Sequence, residues 1–207
     1  MPPRVKICGV TSVEDALACA DAGADAIGVN FWPGSKRRCE LDVAERIARA
    51  VGDRVRVVAV FVDAPLEEIA RVREATGIAW VQLHGREPAS MIEALSPCAY
   101  KAVRPTSELD VREALALPGD ELLVDASVPG VPGGTGRTCD WSLAARLSRA
   151  RRVWLAGGLR AENVADAVRA VRPYGVDVAS GVERSAGVKD HALVRAFVRA
   201  ARGIAGA

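Results

Sequence analysis

The sequence is poor in aromatic residues, with three Phe, two Tyr and four Trp among 207 positions. Its core must therefore be mostly aliphatic, and Ala, Val, Arg and Gly dominate the chain. An excess of either charge sign is also missing. A net charge of +2 is too mild to point to a nucleic-acid or membrane partner. The densest basic cluster, Lys36-Arg37-Arg38, reads by itself as a solvated loop. The five cysteines are scattered, odd in number and never spaced C-x-x-C. That excludes a disulfide framework or a zinc site of the usual spacing, and reduced thiols in a cytoplasmic protein are the simplest reading. No apolar run is long enough to cross a bilayer. Strand-like sequence from Arg4 onward leaves no room for a signal peptide. A G-x-x-x-x-G-K-[ST] loop and a clustered metal-ligand motif are likewise missing.

What is present is a regular alternation of short apolar runs with longer helical stretches. Strands are expected over 5–10, 26–31, 55–62, 80–84, 100–104, 122–126, 153–156 and 176–180. Between them, helices are expected after Ser12, a candidate N-cap with Asp15 three residues on, and over 41–51, where apolar residues recur with a 3.6-residue period. Pro65 suits the first turn of a helix over 66–75. Further helices fall at 91–95, 109–117, 141–150, 162–171 and 192–201. Strands alternating with helices imply a parallel sheet. An open doubly wound sheet would use fewer units. Eight units in 207 residues favour an α/β fold closed as a single compact (β/α)8 barrel, one catalytic domain over 1–207. The Pro- and Gly-rich stretch 128–135 reads as a loop within it.

In such a barrel the functional groups sit on the loops that follow the strands. Three of those loops are rich in glycine: "GVPGGTG", "AGGL" and "SGVE". One alone would be read as a tight turn. Three, two of them after adjacent strands 7 and 8, favour a phosphate site. Asp125 ends strand 6, where a half-buried carboxylate can serve as a general acid; a lone Asp would more simply cap a helix or pair with a cation. Cys8 taken alone is an inert thiol. Lys6 on the same strand face suggests instead a thiol whose pKa is lowered by a cation. Gln82 and His84 share a face of strand 4 and either organise the loop or act directly. Arg37 could clamp a carboxylate bidentately, though in isolation it reads as a loop charge. The tryptophans read as packing residues.

Together "VKICGVT", "GSKRR", "VQLHG", "LLVDAS…PGGTGRTCDW", "LAGGL", "RPYGVDVASGVE" and "GVKDH" resemble the phosphoribosylanthranilate isomerase family of tryptophan biosynthesis, over nearly the whole chain. The resemblance implies an Amadori rearrangement of a small phosphoribosyl substrate with no cofactor and no metal, in a cytoplasmic monomer or homodimer. It implies Cys8 as general base and Asp125 as general acid. It implies Arg37, with Arg38 as rival, as the holder of the anthranilate carboxylate. The phosphate falls to the loops containing Gly134, Thr135 and Gly136, then Gly157 and Gly158, then Ser180 and Gly181. Gln82 and His84 are counted among the substrate-binding residues. Asn30, Asp63 and Cys139 depart from the usual family residues. Two other readings compete. A related histidine-pathway isomerase would use aspartates for both acid and base, against Cys8. A barrel that only binds phosphate would need neither Cys8 nor Asp125.

Overall fold

The computed structural model describes residues 1–126 and 141–203. Eight parallel strands form a closed barrel in sequence order. They are β1 (Arg4–Cys8), β2 (Ala26–Asn30), β3 (Arg56–Phe61), β4 (Trp80–Leu83), β5 (Ala99–Val103), β6 (Glu121–Asp125), β7 (Arg152–Ala156) and β8 (Gly175–Val178). Pairing of β1 with β8, Lys6 beside Asp177, closes the ring. The helices are α1 (Val13–Asp21), α2 (Leu41–Val51), α3 (Leu66–Thr76), α4 (Ala89–Ala94), α5 (Glu108–Ala116), α6 (Ser142–Ala150), α7 (Val164–Val171) and α8 (His191–Ala201). The α/β barrel expected from the alternation is the one observed. Among the described residues no helix is long and apolar enough to cross a membrane.

Strand alternation divides the core into two layers. Val5, Ile7, Ile27, Val29, Val81, Leu83, Leu155 and Val176 face outward and pack with the helices in one aliphatic cluster. Ala26, Val58, Tyr100, Leu123 and Trp154 form a separate cluster inside the barrel. Two of the few aromatics fill the barrel interior, while Phe31, Phe61 and Phe197 belong to the outer cluster. Trp154 and Tyr100 are the largest fully buried side chains, and the Trp154 indole N–H donates to Glu121 at 2.7 Å. Trp32 differs from the packing role expected of it: it is 43% exposed, on the loop after β2.

Local signals mostly place the helices correctly. The Ser12 hydroxyl accepts from the Asp15 N–H at 3.1 Å, and α2 buries Ala44, Ile47 and Val51. Pro65 is the N-cap of α3, which starts at Leu66 as expected. β1 stops at Cys8 because Gly9 takes a φ of +75°, a conformation open to glycine at little cost. The Gly9 and Val10 N–H groups then both turn to the Gly28 carbonyl, at 2.9 and 3.0 Å. His84 and Ser180 lie just past their strands. A small antiparallel hairpin, β9 (Glu183–Ser185) with β10 (Val188–Lys189), follows β8. Its strands are too short for a two-residue period to be read from sequence.

Candidate active site

The C-terminal ends of the strands surround a cavity of about 520 Å³ that brings together Cys8, Asp125, Arg37, Gln82, His84, Gly157, Gly158 and Ser180. Gly181 does not line it. Gly134, Thr135 and Gly136, along with Cys139, lie outside the described residues.

The floor is a polar layer inside the barrel. Lys6 is fully buried. Its ammonium donates to Asp177 Oδ1 at 2.9 Å and to Gln82 Oε1 at 3.0 Å. The Tyr100 hydroxyl donates to the same Gln82 oxygen at 3.1 Å. Burial opposes the Lys6 charge, but Asp177, Cys8 and Tyr100 outweigh it and hold the ammonium protonated, with its pKa above the ordinary value.

Cys8 stands one step above Lys6 on the same face, half-buried in the cavity wall. Room for both comes from Gly28 on β2. A Cβ there would sit 2.7 Å from the Cys8 sulfur and 3.3 Å from Lys6 Nζ. The expectation that Lys6 brings the thiol toward neutrality is not met. Burial pushes the Cys8 thiol above its ordinary value and Asp177 adds to the rise, while Lys6 and Lys189 pull it back without reversing it.

Arg37 reaches the cavity rim, and Glu183 grips it bidentately: Arg37 Nε donates to Oε1 at 2.9 Å and Nη2 to Oε2 at 2.7 Å. Glu183 is in turn held by the fully buried Lys189, whose ammonium donates to it at 2.8 Å and to the Cys8 carbonyl at 2.6 Å. These contacts hold the Glu183 carboxylate below its usual range, against the effect of burial. The hairpin missed in the sequence thus fixes the arginine. Arg38 does not line the cavity, and its guanidinium lies 3.9 Å from the Glu40 carboxylate.

Across the mouth, Asp125 ends β6 and accepts from Arg104 Nη2 at 2.6 Å. Arg104, expected as the last residue of its strand, lies just past β5, and nothing in the sequence marked it as a partner of Asp125. His84 Nδ1 lies 2.8 Å from Gln82 Nε2. Burial holds the His84 pKa below its ordinary value, with Asp125 and Asp177 opposing and Lys6 and Arg104 reinforcing the shift. Asn30 Oδ1 accepts from the Trp32 N–H at 2.8 Å, so this residue, an oddity in the sequence, shapes the loop that carries Trp32 into the cavity wall.

The glycine loops are shaped for close approach. Gly157 and Gly158 have φ of +102° and +63°, and the Gly158 carbonyl is held by Asn163 Nδ2 at 3.0 Å. Ser180 begins a short 3-10 turn, Ser180–Val182, after β8. Gly181 in this turn is needed for packing, because an added Cβ would land on the Leu159 carbonyl oxygen. Gly181→Ala is expected to displace the turn and destabilise the protein by about 1–3 kcal/mol, which urea unfolding checks.

The chain is similar to known proteins throughout its length. The family described as N-(5'phosphoribosyl)anthranilate (PRA) isomerase matches residues 5–200. An N-(5'-phosphoribosyl)anthranilate isomerase of Myxococcus xanthus is 47% identical, covering 99% of this chain and 98% of the relative. The crystal structure of phosphoribosyl anthranilate isomerase from Thermotoga maritima is 41% identical, with a TM-score of 0.88 over 97% of this chain and 99% of that one. A phosphoribosyl anthranilate isomerase solved with reduced 1-(o-carboxyphenylamino)-1-deoxyribulose 5-phosphate is 39% identical, with a TM-score of 0.85 over 97% and 99% of the two chains. On the barrel, the cavity and these likenesses, the chain is an isomerase and belongs to the N-(5'phosphoribosyl)anthranilate (PRA) isomerase family.

Proposed function

We propose that this chain, as one catalytic unit, converts N-(5-phosphoribosyl)anthranilate to 1-(2-carboxyphenylamino)-1-deoxyribulose 5-phosphate in tryptophan biosynthesis, by an Amadori rearrangement with Asp125 as general acid and Cys8 as general base. The observation that carries this reading is the convergence of a thiol, a carboxylate, an arginine and two glycine-bearing loops on one cavity. β1 and β6 are separated by β7 and β8 around the ring, so the acid and the base approach one sugar from different sides.

The chemistry assigns each group a task. Asp125 protonates the furanose oxygen as the C1–O bond breaks, giving a Schiff base. The Cys8 thiolate takes the C2 proton, and the enolamine that forms tautomerises to the ketone. Acid and base in fixed places contribute typically about 10²–10⁴-fold each. Glu183 occupies the Nε–Nη2 edge of Arg37, leaving the Nη1 side for the anthranilate carboxylate. Gly157, Gly158, Ser180 and the segment containing Gly134, Thr135 and Gly136 hold the phosphate. Anchors at both ends keep the sugar between the two groups, which itself lowers the barrier. The Arg104 contact with Asp125 is one the substrate must share or replace.

Expression in a tryptophan auxotroph lacking this isomerase tests the reading. Growth without tryptophan is expected, together with turnover of phosphoribosylanthranilate by the purified protein. A well-expressed, folded protein that neither supports growth nor turns over the substrate would sink it.

A further inference from the structure

We propose that the buried Lys6–Gln82 contact fixes the ring proton of His84 on Nε2, so that a neutral His84 presents an N–H donor to a sugar oxygen of the substrate. The substrate part of this inference rests on the proposed function; the tautomer part does not.

An amide side chain can be turned either way, and distance alone does not tell its oxygen from its nitrogen. Here the neighbours decide. A lysine ammonium has donors only, and Lys6 is held charged by Asp177. The Gln82 atom 3.0 Å from Lys6 Nζ must therefore be the oxygen. Tyr100 donates to the same atom. The other end of the amide is then the NH2 group, also donors only, and it lies 2.8 Å from His84 Nδ1. To accept that bond, Nδ1 must be bare. A neutral ring then carries its proton on Nε2.

The surroundings keep the ring neutral. The charged groups that act on it are Asp125 and Asp177, which favour its protonation, and Lys6 and Arg104, which oppose it along with burial. Both side chains line the cavity, but Gln82 is only 1% exposed and His84 is half-buried, so the ring is the more accessible of the two. Gln82, Lys6 and Tyr100 are thus positioning residues, and His84 is the group that meets the substrate. This also gives Lys6 a task that does not depend on how far it lowers the Cys8 thiol.

The test reads tautomer and turnover separately. The chain has two histidines, so nitrogen-15 spectra of the substrate-free protein are readily assigned, with His191→Asn identifying the second ring. At neutral and alkaline pH, His84 is expected to show the Nε2–H form; the Nδ1–H form or an even mixture would overturn the relay. In Gln82→Glu, the new carboxylate accepts from Nδ1–H. Above its own titration midpoint, the variant's His84 is therefore left with a bare Nε2, whereas the parent keeps its Nε2–H in both protonation states. The kcat ratio of variant to parent is expected to fall by about tenfold or more from about pH 6 to about pH 9. A flat ratio in a folded variant whose ring has changed tautomer would overturn the donor role. A parent with no isomerase turnover would overturn that role together with the proposed function. The tautomer of the parent needs no variant and stands or falls by its own spectrum.

Discussion

Cys8→Ala is expected to lower kcat by about 10²–10⁴-fold with little change in the fold. On the proposed mechanism the loss should be large, because Cys8 is the group that takes the C2 proton. The only other side chain of β1 that turns into the barrel above its base, Lys6, is an ammonium already committed to Asp177 and Gln82. The fold should survive because the sulfur lines an open cavity and is only half-buried. Removing it costs about 1 kcal/mol at most. Cys8→Ser should be almost as slow as Cys8→Ala, since a hydroxyl is far harder to deprotonate than a thiol; if serine rescued turnover, the thiol would be serving as packing or as a hydrogen bond. Burial raises the Cys8 thiol above its ordinary value. If Cys8 is the base, as proposed, it is mostly protonated in the free protein at neutral pH, and kcat/KM should climb as pH rises into the alkaline range. A Cys8→Ala variant retaining near-normal turnover, or a parent kcat/KM that is flat with pH, would remove Cys8 from the role. Asp125→Asn should give a loss of similar size, since the amide cannot protonate the ring oxygen.

The barrel was legible because its signals are local. Each strand–helix pair announces itself through apolar periodicity, and eight pairs leave few ways to close. The outer core follows from the same alternation. The catalytic candidates were legible only as positions along the chain: the strand count put Cys8, His84 and Asp125 at one mouth. What could not be read was the set of partners. Lys6 and Asp177 are 171 residues apart in sequence and adjacent only because β1 pairs with β8. Arg37 and Glu183 are 146 apart, and Glu183 sits in a hairpin too short to show a period. Arg104 looked like the end of a strand, and its ion pair with Asp125 depends on β5 lying next to β6. Electrostatics fails for the same reason. Lys6 beside Cys8 suggested a lowered thiol pKa, because a pair of residues reveals the cation and not the burial or the Asp177 carboxylate that offset it.

Because of that offset Lys6→Met is expected to have a large effect, which falls on stability first. Lys6 is fully buried and Asp177 is 7% exposed, with 2.9 Å between their charged groups. Removing one partner of such a pair leaves a largely buried carboxylate without its cation, which costs about 3–5 kcal/mol. For a chain of this size that is a drop of roughly 10 °C in melting temperature. The double variant Lys6→Met, Asp177→Leu removes both charges and should recover most of the loss, because apolar groups of similar volume replace a buried pair at little cost. The thiol provides an independent readout. Lys6 pulls the Cys8 pKa down and Asp177 pushes it up, so Lys6→Met should raise the thiol's titration midpoint further, whereas the double variant should bring it back toward the parent. Iodoacetamide reaction rates against pH, with the other cysteines substituted, give these midpoints. An unchanged midpoint in a folded Lys6→Met protein would mean that the two side chains do not share a field. An unchanged melting temperature would mean that Asp177 finds another partner. If both shifts appear, Lys6 supports the site in two ways, by neutralising Asp177 inside the barrel and by setting the orientation of Gln82 beneath His84, and its pull on Cys8 is a consequence of sitting there.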